Sequence, residues 1–176
     1  MKRFALTAIG PDRPGIIAAV TKALFEHDCN IEDSSMTSIE DEFSIILIGS
    51  MPPGGDASGL EKDLRKIERA MGLSIHFKEL GSRAQEGPPG NHLITLHGAD
   101  KAGIVYKTTE LLARMEVNIT ELETKVIGSP PVYIMLIEAY IPEGANISLL
   151  EEELSALERT LGVTISIKPV EDAEVL

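Results

Sequence analysis

Residues 10–17 read Gly10-Pro11-Asp12-Arg13-Pro14-Gly15-Ile16-Ile17, and residues 98–105 read Gly98-Ala99-Asp100-Lys101-Ala102-Gly103-Ile104-Val105. The shared pattern is Gly-x-Asp-basic-x-Gly-Ile. In both places it follows a short apolar run, Phe4 to Ile9 or His92 to Leu96, that suits a strand. In both it precedes apolar residues at helical spacing: Ile16, Ile17, Val20 and Leu24, or Ile104, Val105, Leu111, Leu112 and Met115.

Extending outward from this stretch shows that the chain is written twice. Residues 4–39 align without a gap with residues 92–127, with 10 of 36 pairs identical, and residues 43–80 align with 133–170, with 11 of 38 identical. The register shift of two residues between the blocks falls in Gly128-Ser129-Pro130-Pro131, a turn cluster where an insertion disturbs packing least. After the first helix each copy carries two extended segments, Ile31 to Ile39 with Phe43 to Met51, and Ile119 to Ile127 with Val132 to Ile141. A second helix is marked by Leu60, Leu64, Ile67 and Met71, or by Leu150, Leu154, Leu157 and Leu161, and is stopped by Gly72 or Gly162. Closing strands span Leu73 to Leu80 and Val163 to Val170. The order βαββαβ predicts an α+β fold, two tandem ferredoxin-like units each with two helices on one face of a four-stranded antiparallel sheet. The expected boundaries are residues 1–80 and 91–176, joined by a linker over residues 81–90 that is rich in Gly and Pro.

The third strand is apolar on both faces. Phe43, Ile45, Leu47 and Met51 have the parity that faces the helices, yet Ile46 and Ile48, or Ile134, Leu136 and Tyr140, occupy the other. A half-solvated strand alternates more cleanly, so we expect the open faces or sheet edges to be covered by the other unit or by a second chain.

Composition narrows the function. Of 176 residues, 43% are apolar and 25% charged, as in a globular protein with a real core. The net charge is −12, and the two halves carry −4 (residues 1–80) and −8 (residues 91–176), which argues against direct nucleic-acid binding. The lone cysteine, Cys29, fits a reducing compartment, and the start of the chain has neither signal peptide nor apolar run long enough for a membrane span, so the cytoplasm is expected. No nucleophile elbow, phosphate-binding lysine loop or zinc-protease helix motif occurs, and His27, His76, His92 and His97 lack metal-ligand spacing. We therefore expect no catalytic residues, no metal and no cofactor.

Two recurrent elements remain. In the loop, Asp12 and Asp100 are placed to cap the helix, Pro14 suits its first turn, and Gly15 and Gly103 leave its N–H groups uncovered. These residues form either a receptacle for a carboxylate or phosphate, or simply a tight connection. At the helix exit, Asn30 and Asn118 either adopt a left-handed helix-ending conformation or offer a side-chain amide to a ligand. A helix N-terminus, an aspartate and a neutral amide together suit a zwitterion such as an amino acid.

The duplicated βαββαβ unit opened by Gly-Pro-Asp-Arg-Pro-Gly-Ile, with a helix ending in Cys29-Asn30-Ile31, resembles the tandem ACT-domain proteins, and among them the glycine cleavage system transcriptional repressor family. The resemblance covers about residues 2–170. It implies small-molecule sensing at paired domains near the first strand-to-helix loop, with Asp12, Arg13, Pro14, Gly15, Ile16 and Asn30 as ligand-binding residues. In the second copy the matching residues are Asp100, Lys101, Gly103, Ile104 and Asn118. It further implies an amino-acid ligand, a homodimer, and a protein partner through which transcription is controlled by a separate DNA-binding activator. Two alternatives stand beside it: a constitutive protein-interaction module, and an enzyme using Asp12 and Asp100 as acid and base.

Overall fold

The computed structural model describes residues 2–81 and 87–170. The chain divides between residues 85 and 86 into two compact units. The expected linker over residues 81–90 falls partly on residues 82–86, outside the described residues.

The first unit runs β1 (Lys2–Pro11), α1 (Ile16–Glu26), β2 (Asn30–Ile39), β3 (Glu42–Met51), α2 (Ala57–Met71) and β4 (Ser74–Leu80). The second runs β5 (His92–Gly98), α3 (Ile104–Arg114), β6 (Asn118–Ile127), β7 (Val132–Tyr140), α4 (Ile147–Leu161) and β8 (Val163–Pro169). All pairings are antiparallel, and the sheets are ordered β2-β3-β1-β4 and β6-β7-β5-β8. The first strand of each unit is thus central, and the last strand closes beside it.

Each sheet buries one face. On β1, Phe4, Leu6 and Ala8 are buried, and on β3 Phe43, Ile45, Leu47 and Met51 are, as period-two alternation requires. They meet Ile16, Val20, Ala23 and Leu24 of α1 and Leu60 and Leu64 of α2. The second core repeats the plan with Ile94, Leu96, Met135, Ile137, Leu112 and Leu150. Ile17 and Val105, which the helical pattern includes in the apolar stripe, stay exposed at the helix starts. The opposite parity of β3 carries exposed Ile46, so the second apolar face read from the sequence is present on the folded unit.

The longer helices end as their sequences direct. Asp56 accepts a hydrogen bond from the Gly59 N–H, and Asn146 accepts one from that of Leu149, both side chains acting as N-caps. Gly72 and Gly162 close the helices in the left-handed region at φ 69° and 66°. At the exit of the shorter helices the left-handed residue is Asp28 (φ 53°) or Glu116 (φ 58°), two positions before the asparagine expected to take that role. Asn30 and Asn118 instead begin the next strand.

Two features distinguish the first core. His27 Nε2 lies 3.0 Å from Asp63 Oδ2, and Lys66 Nζ lies 2.5 Å from Asp63 Oδ1, tying the end of α1 to α2. The Phe4 ring packs against Phe77 at 5.2 Å and leaves no room above Gly49. A Cβ on Gly49 would lie 2.6 Å from Phe4 Cζ and 2.8 Å from the Asn30 carbonyl oxygen. In the second unit the residue aligned with Phe4 is His92, and Ala139 occupies the aligned position fully buried.

Gly49→Ala is therefore expected to destabilise the first unit by about 1–3 kcal/mol, read from its urea-unfolding transition. The hydrogen bonds from Lys66 and His27 hold the Asp63 carboxyl at about 2. A depressed folded-state value contributes stability above the ordinary carboxylate range that is lost as pH falls toward 2. Asp63→Asn should flatten that acid limb in unfolding curves between about pH 4 and 2, and an unchanged pH slope would refute the clamp.

Candidate functional site

The loop between β1 and α1 is built around Gly15. This residue, and not Asp12, occupies the N-cap of α1, at φ 94° and ψ −5°, with no side-chain cap. A left-handed backbone there favours glycine, and an added Cβ would meet nothing within 4 Å, so the conformation and not crowding selects it. The first carbonyl of the helix ladder is that of Gly15, which accepts from the Ala19 N–H at 2.9 Å. The N–H groups of Ile16, Ile17 and Ala18 thus have no carbonyl partner in the helix, and they point outward at the positive end of its dipole. Gly103 repeats this geometry at φ 92°, with the Lys107 N–H bonded to its carbonyl at 3.0 Å.

Asp12 does different work from the capping its position suggests. Its Oδ2 accepts from Ser38 Oγ at 2.9 Å, and its N–H donates to the Asp41 carbonyl at 2.8 Å. These bonds pin the loop to the far end of β2 and to the turn into β3. Pro14 precedes the N-cap and lies outside the helix, where its fixed φ stiffens the approach to Gly15.

The pinned loop, the first turn of α1, Met36 of β2 and Phe43 of β3 surround a hollow of about 500 Å³. Asp12, Arg13, Pro14, Gly15 and Ile16 all line it. Arg13 forms no hydrogen bond or ion pair among the described residues, so its guanidinium stands at the rim as an uncommitted cation.

The asparagines lie elsewhere. Asn30 pairs with Ser50, which pairs with Arg3 at the start of β1, whereas the loop follows Gly10 at its end. Seven residues of strand separate these levels, about 23 Å at about 3.3 Å per residue, so one small molecule cannot touch both within a unit. Within the first unit Asp12 to Ile16 lie together and Asn30 lies apart from them, and Asn118 is removed from the second loop by the same register.

The second loop has the same backbone and different attachments. Lys101 turns away and donates to the Leu161 carbonyl at 3.0 Å, satisfying the C-terminal end of α4. Tyr133 replaces Phe43 and Thr124 replaces Met36, and their hydroxyls hydrogen-bond to each other. Burial raises the Tyr133 phenol above its ordinary value, the Thr124 hydrogen bond opposes this, and the Asp100 carboxylate adds to it. Asp100, Lys101, Gly103 and Ile104 therefore form a polar, tethered counterpart of the first loop.

Other chemistry is sparse. No group of three or more His, Cys, Asp or Glu that could hold a metal occurs among the described residues. Burial, and then the Asp28 carboxylate, push the Cys29 thiol up, away from thiolate reactivity. No helix among the described residues is long and apolar enough to cross a membrane. A contact that sequence reading misses is made by Glu68 and Glu158, which occupy aligned positions. Each accepts a hydrogen bond from a closing strand, from the Ile75 N–H and the Ile165 N–H, both at 3.0 Å. Their identity in both copies was the available signal.

Comparison with known proteins agrees with the duplicated fold. The ACT domain model matches residues 2–78 and again residues 92–168. The glycine cleavage system transcriptional repressor of Escherichia coli is 27% identical over 173 residues, covering 95% of this chain and 90% of that protein. UPF0237 protein MK1213 of Methanopyrus kandleri is 36% identical over 76 residues, 43% of this chain and 84% of that protein. Among solved structures, an unknown protein from Galdieria sulphuraria superposes with a TM-score of 0.80 at 26% identity, covering 97% of this chain and 99% of that one. A crystal structure under the working name of a glycine cleavage system transcriptional repressor gives 0.74 at 25% identity, over 97% and 98% of the two chains. With one match on each of its βαββαβ units, the chain belongs to the ACT domain family.

Proposed function

We propose that this protein is a non-catalytic regulator that senses a small molecule, an amino acid by the chemistry of the site, at the β1–α1 loop of its first unit. Occupancy of that loop is passed to a protein partner, and transcription is controlled through a separate DNA-binding activator. The observation that carries the reading is the left-handed Gly15 at an uncapped helix N-terminus, beside an uncommitted Arg13 and over a hollow of about 500 Å³. Helix N–H groups and a guanidinium are donors suited to a carboxylate, while Met36 and Ile17 offer apolar surface to a side chain.

The energy required is modest. A metabolite sensed at micromolar to millimolar levels needs about 4–8 kcal/mol, within reach of a few charge-assisted hydrogen bonds. Regulation then requires that the ligand bind one state of the protein better than another, since equal affinities shift nothing. The likeness to the Escherichia coli repressor supports a transcriptional role, and the excess of acid in both units supports an indirect one.

A thermal-shift screen against the twenty amino acids tests this directly. A ligand at 100 times its dissociation constant adds about 2.7 kcal/mol of stability, and one or two amino acids are expected to do so. No shift from any of them favours the constitutive interaction module instead. Arg13→Met should keep wild-type stability within about 0.5 kcal/mol and shrink the ligand shift. Gly15→Leu, strained by about 1–2 kcal/mol in the left-handed region, should abolish the shift. Lys101→Met should destabilise the second unit by about 1 kcal/mol and leave the ligand shift intact. A shift that survives both substitutions in the first loop would refute the site.

A further inference from the structure

The charges of α2 are sorted by face. Its exposed residues are Ser58, Lys62, Arg65, Lys66, Arg69 and Ala70, so the outer surface of the helix carries four cations and no acid. At 3.6 residues per turn the four fall within a sector of about 100°, opposite Leu60, Leu64, Ile67 and Met71, and Lys62 and Arg69 stand about 10 Å apart along the axis. The acids of the helix, Glu61, Asp63 and Glu68, lie half-buried on its flanks and are already engaged. Glu61 accepts from Arg65, Asp63 from Lys66 and His27, and Glu68 from the Ile75 N–H. Lys62 and Arg69 form no hydrogen bond or ion pair among the described residues. Arg65 and Lys66 keep 65% and 68% of their side chains exposed, which leaves them donors to spare.

The second unit does not repeat this face. The aligned residues of α4 are Glu152, Ser155, Ala156 and Arg159, and that helix exposes Glu151 as well. Across α2 and β4 there are five basic and four acidic residues, and across α4 and β8 two basic and four acidic. The net charge of −12 already serves solubility, so four cations gathered on one helix face are not needed for it. Beside the stripe, between α2 and β4, lies a hollow of about 310 Å³ whose lining includes Arg65 and Arg69 together with the apolar Leu64, Ile75 and Phe77. Its two acids, Glu61 and Glu68, are the engaged ones. Exposed guanidinium and ammonium groups favour carboxylates, and the apolar lining favours aliphatic side chains, which a sugar-phosphate backbone lacks. The length of the stripe matches a few residues of extended chain at about 3.3 Å per residue.

We propose that the outer face of α2 and the hollow beside it are the docking surface for an acidic segment of another protein, one that mixes carboxylates with aliphatic side chains. The proposal rests on the reading that this chain acts through a protein partner, and it is independent of the loop as a ligand site. Fluorescence anisotropy of the full chain with a labelled peptide of about twelve residues, made of Glu and Leu, tests it. Saturable binding with a dissociation constant below about 1 mM is expected, weakened severalfold as salt rises from about 50 to about 200 mM. The Gln-for-Glu peptide should not bind. Lys62→Glu and Arg69→Glu change exposed, unpaired residues and should each weaken binding about fivefold. Arg159→Glu, at the position of the second unit aligned with Arg69, should leave binding unchanged, and circular dichroism should be the same for all three variants. An acidic peptide that does not bind, first-unit variants that bind as tightly as wild type, an equal loss from Arg159→Glu, or tighter binding of single-stranded DNA of similar length would each overturn the docking surface. Such results strike this surface alone, whereas the partner reading falls if removing the whole chain leaves transcription unchanged.

Discussion

The end of the first strand passes so close to the end of the second helix that no side chain fits between them. A Cβ on Gly10 would lie 2.9 Å from the Gly72 carbonyl oxygen and 3.1 Å from Leu73 Cα, and one on Gly98 would lie 2.8 Å from the Val163 side chain. This approach fixes where the chain leaves the sheet. It thereby fixes where Asp12 can reach Ser38, where Gly15 must turn left-handed, and where α1 begins. The loop is thus shaped by packing at its root as well as by its own residues.

The fold was legible because its determinants are periodic and local. Alternating apolar residues on β3, the stripes of α2 and α4, and the glycines at 72 and 162 each state their structure within a few residues, and the duplication states it twice. The loop was legible as a place and not in its bonding. An aspartate four residues before a helix reads as a cap, but the left-handed glycine takes the cap and frees Asp12 for a hydroxyl 26 residues away. Lys101 shows the same limit, since its partner is 60 residues distant. Asn30 and the loop both recur, but recurrence carries no distance, and the register sets them at opposite ends of the sheet. Glu68 and Glu158 were not legible, because a carboxylate that meets a strand edge has no signature in sequence apart from repetition.

The copies also show what divergence spares and what it rewires. Backbone geometry at Gly15 and Gly103 differs by only a few degrees, while the groups around it have exchanged an arginine for a tethered lysine and an apolar floor for a Tyr133 and Thr124 pair. At the opposite end, the ties between the helices changed from His27 with Asp63 to Arg114 with Glu153. Main-chain form is held by constraints on glycine and on burial, which leaves the attached chemistry free to differ between units.

The strand order has a consequence for biosynthesis. Because β4 pairs with β1, the sheet of the first unit is complete once residue 80 has emerged and requires no strand from the second. Chains made from the N-terminus can therefore finish one unit while the next is still being translated. Early closure removes the first unit's strands from competition before their counterparts exist. Two similar sequences in one chain are thereby spared much of the opportunity to exchange strands.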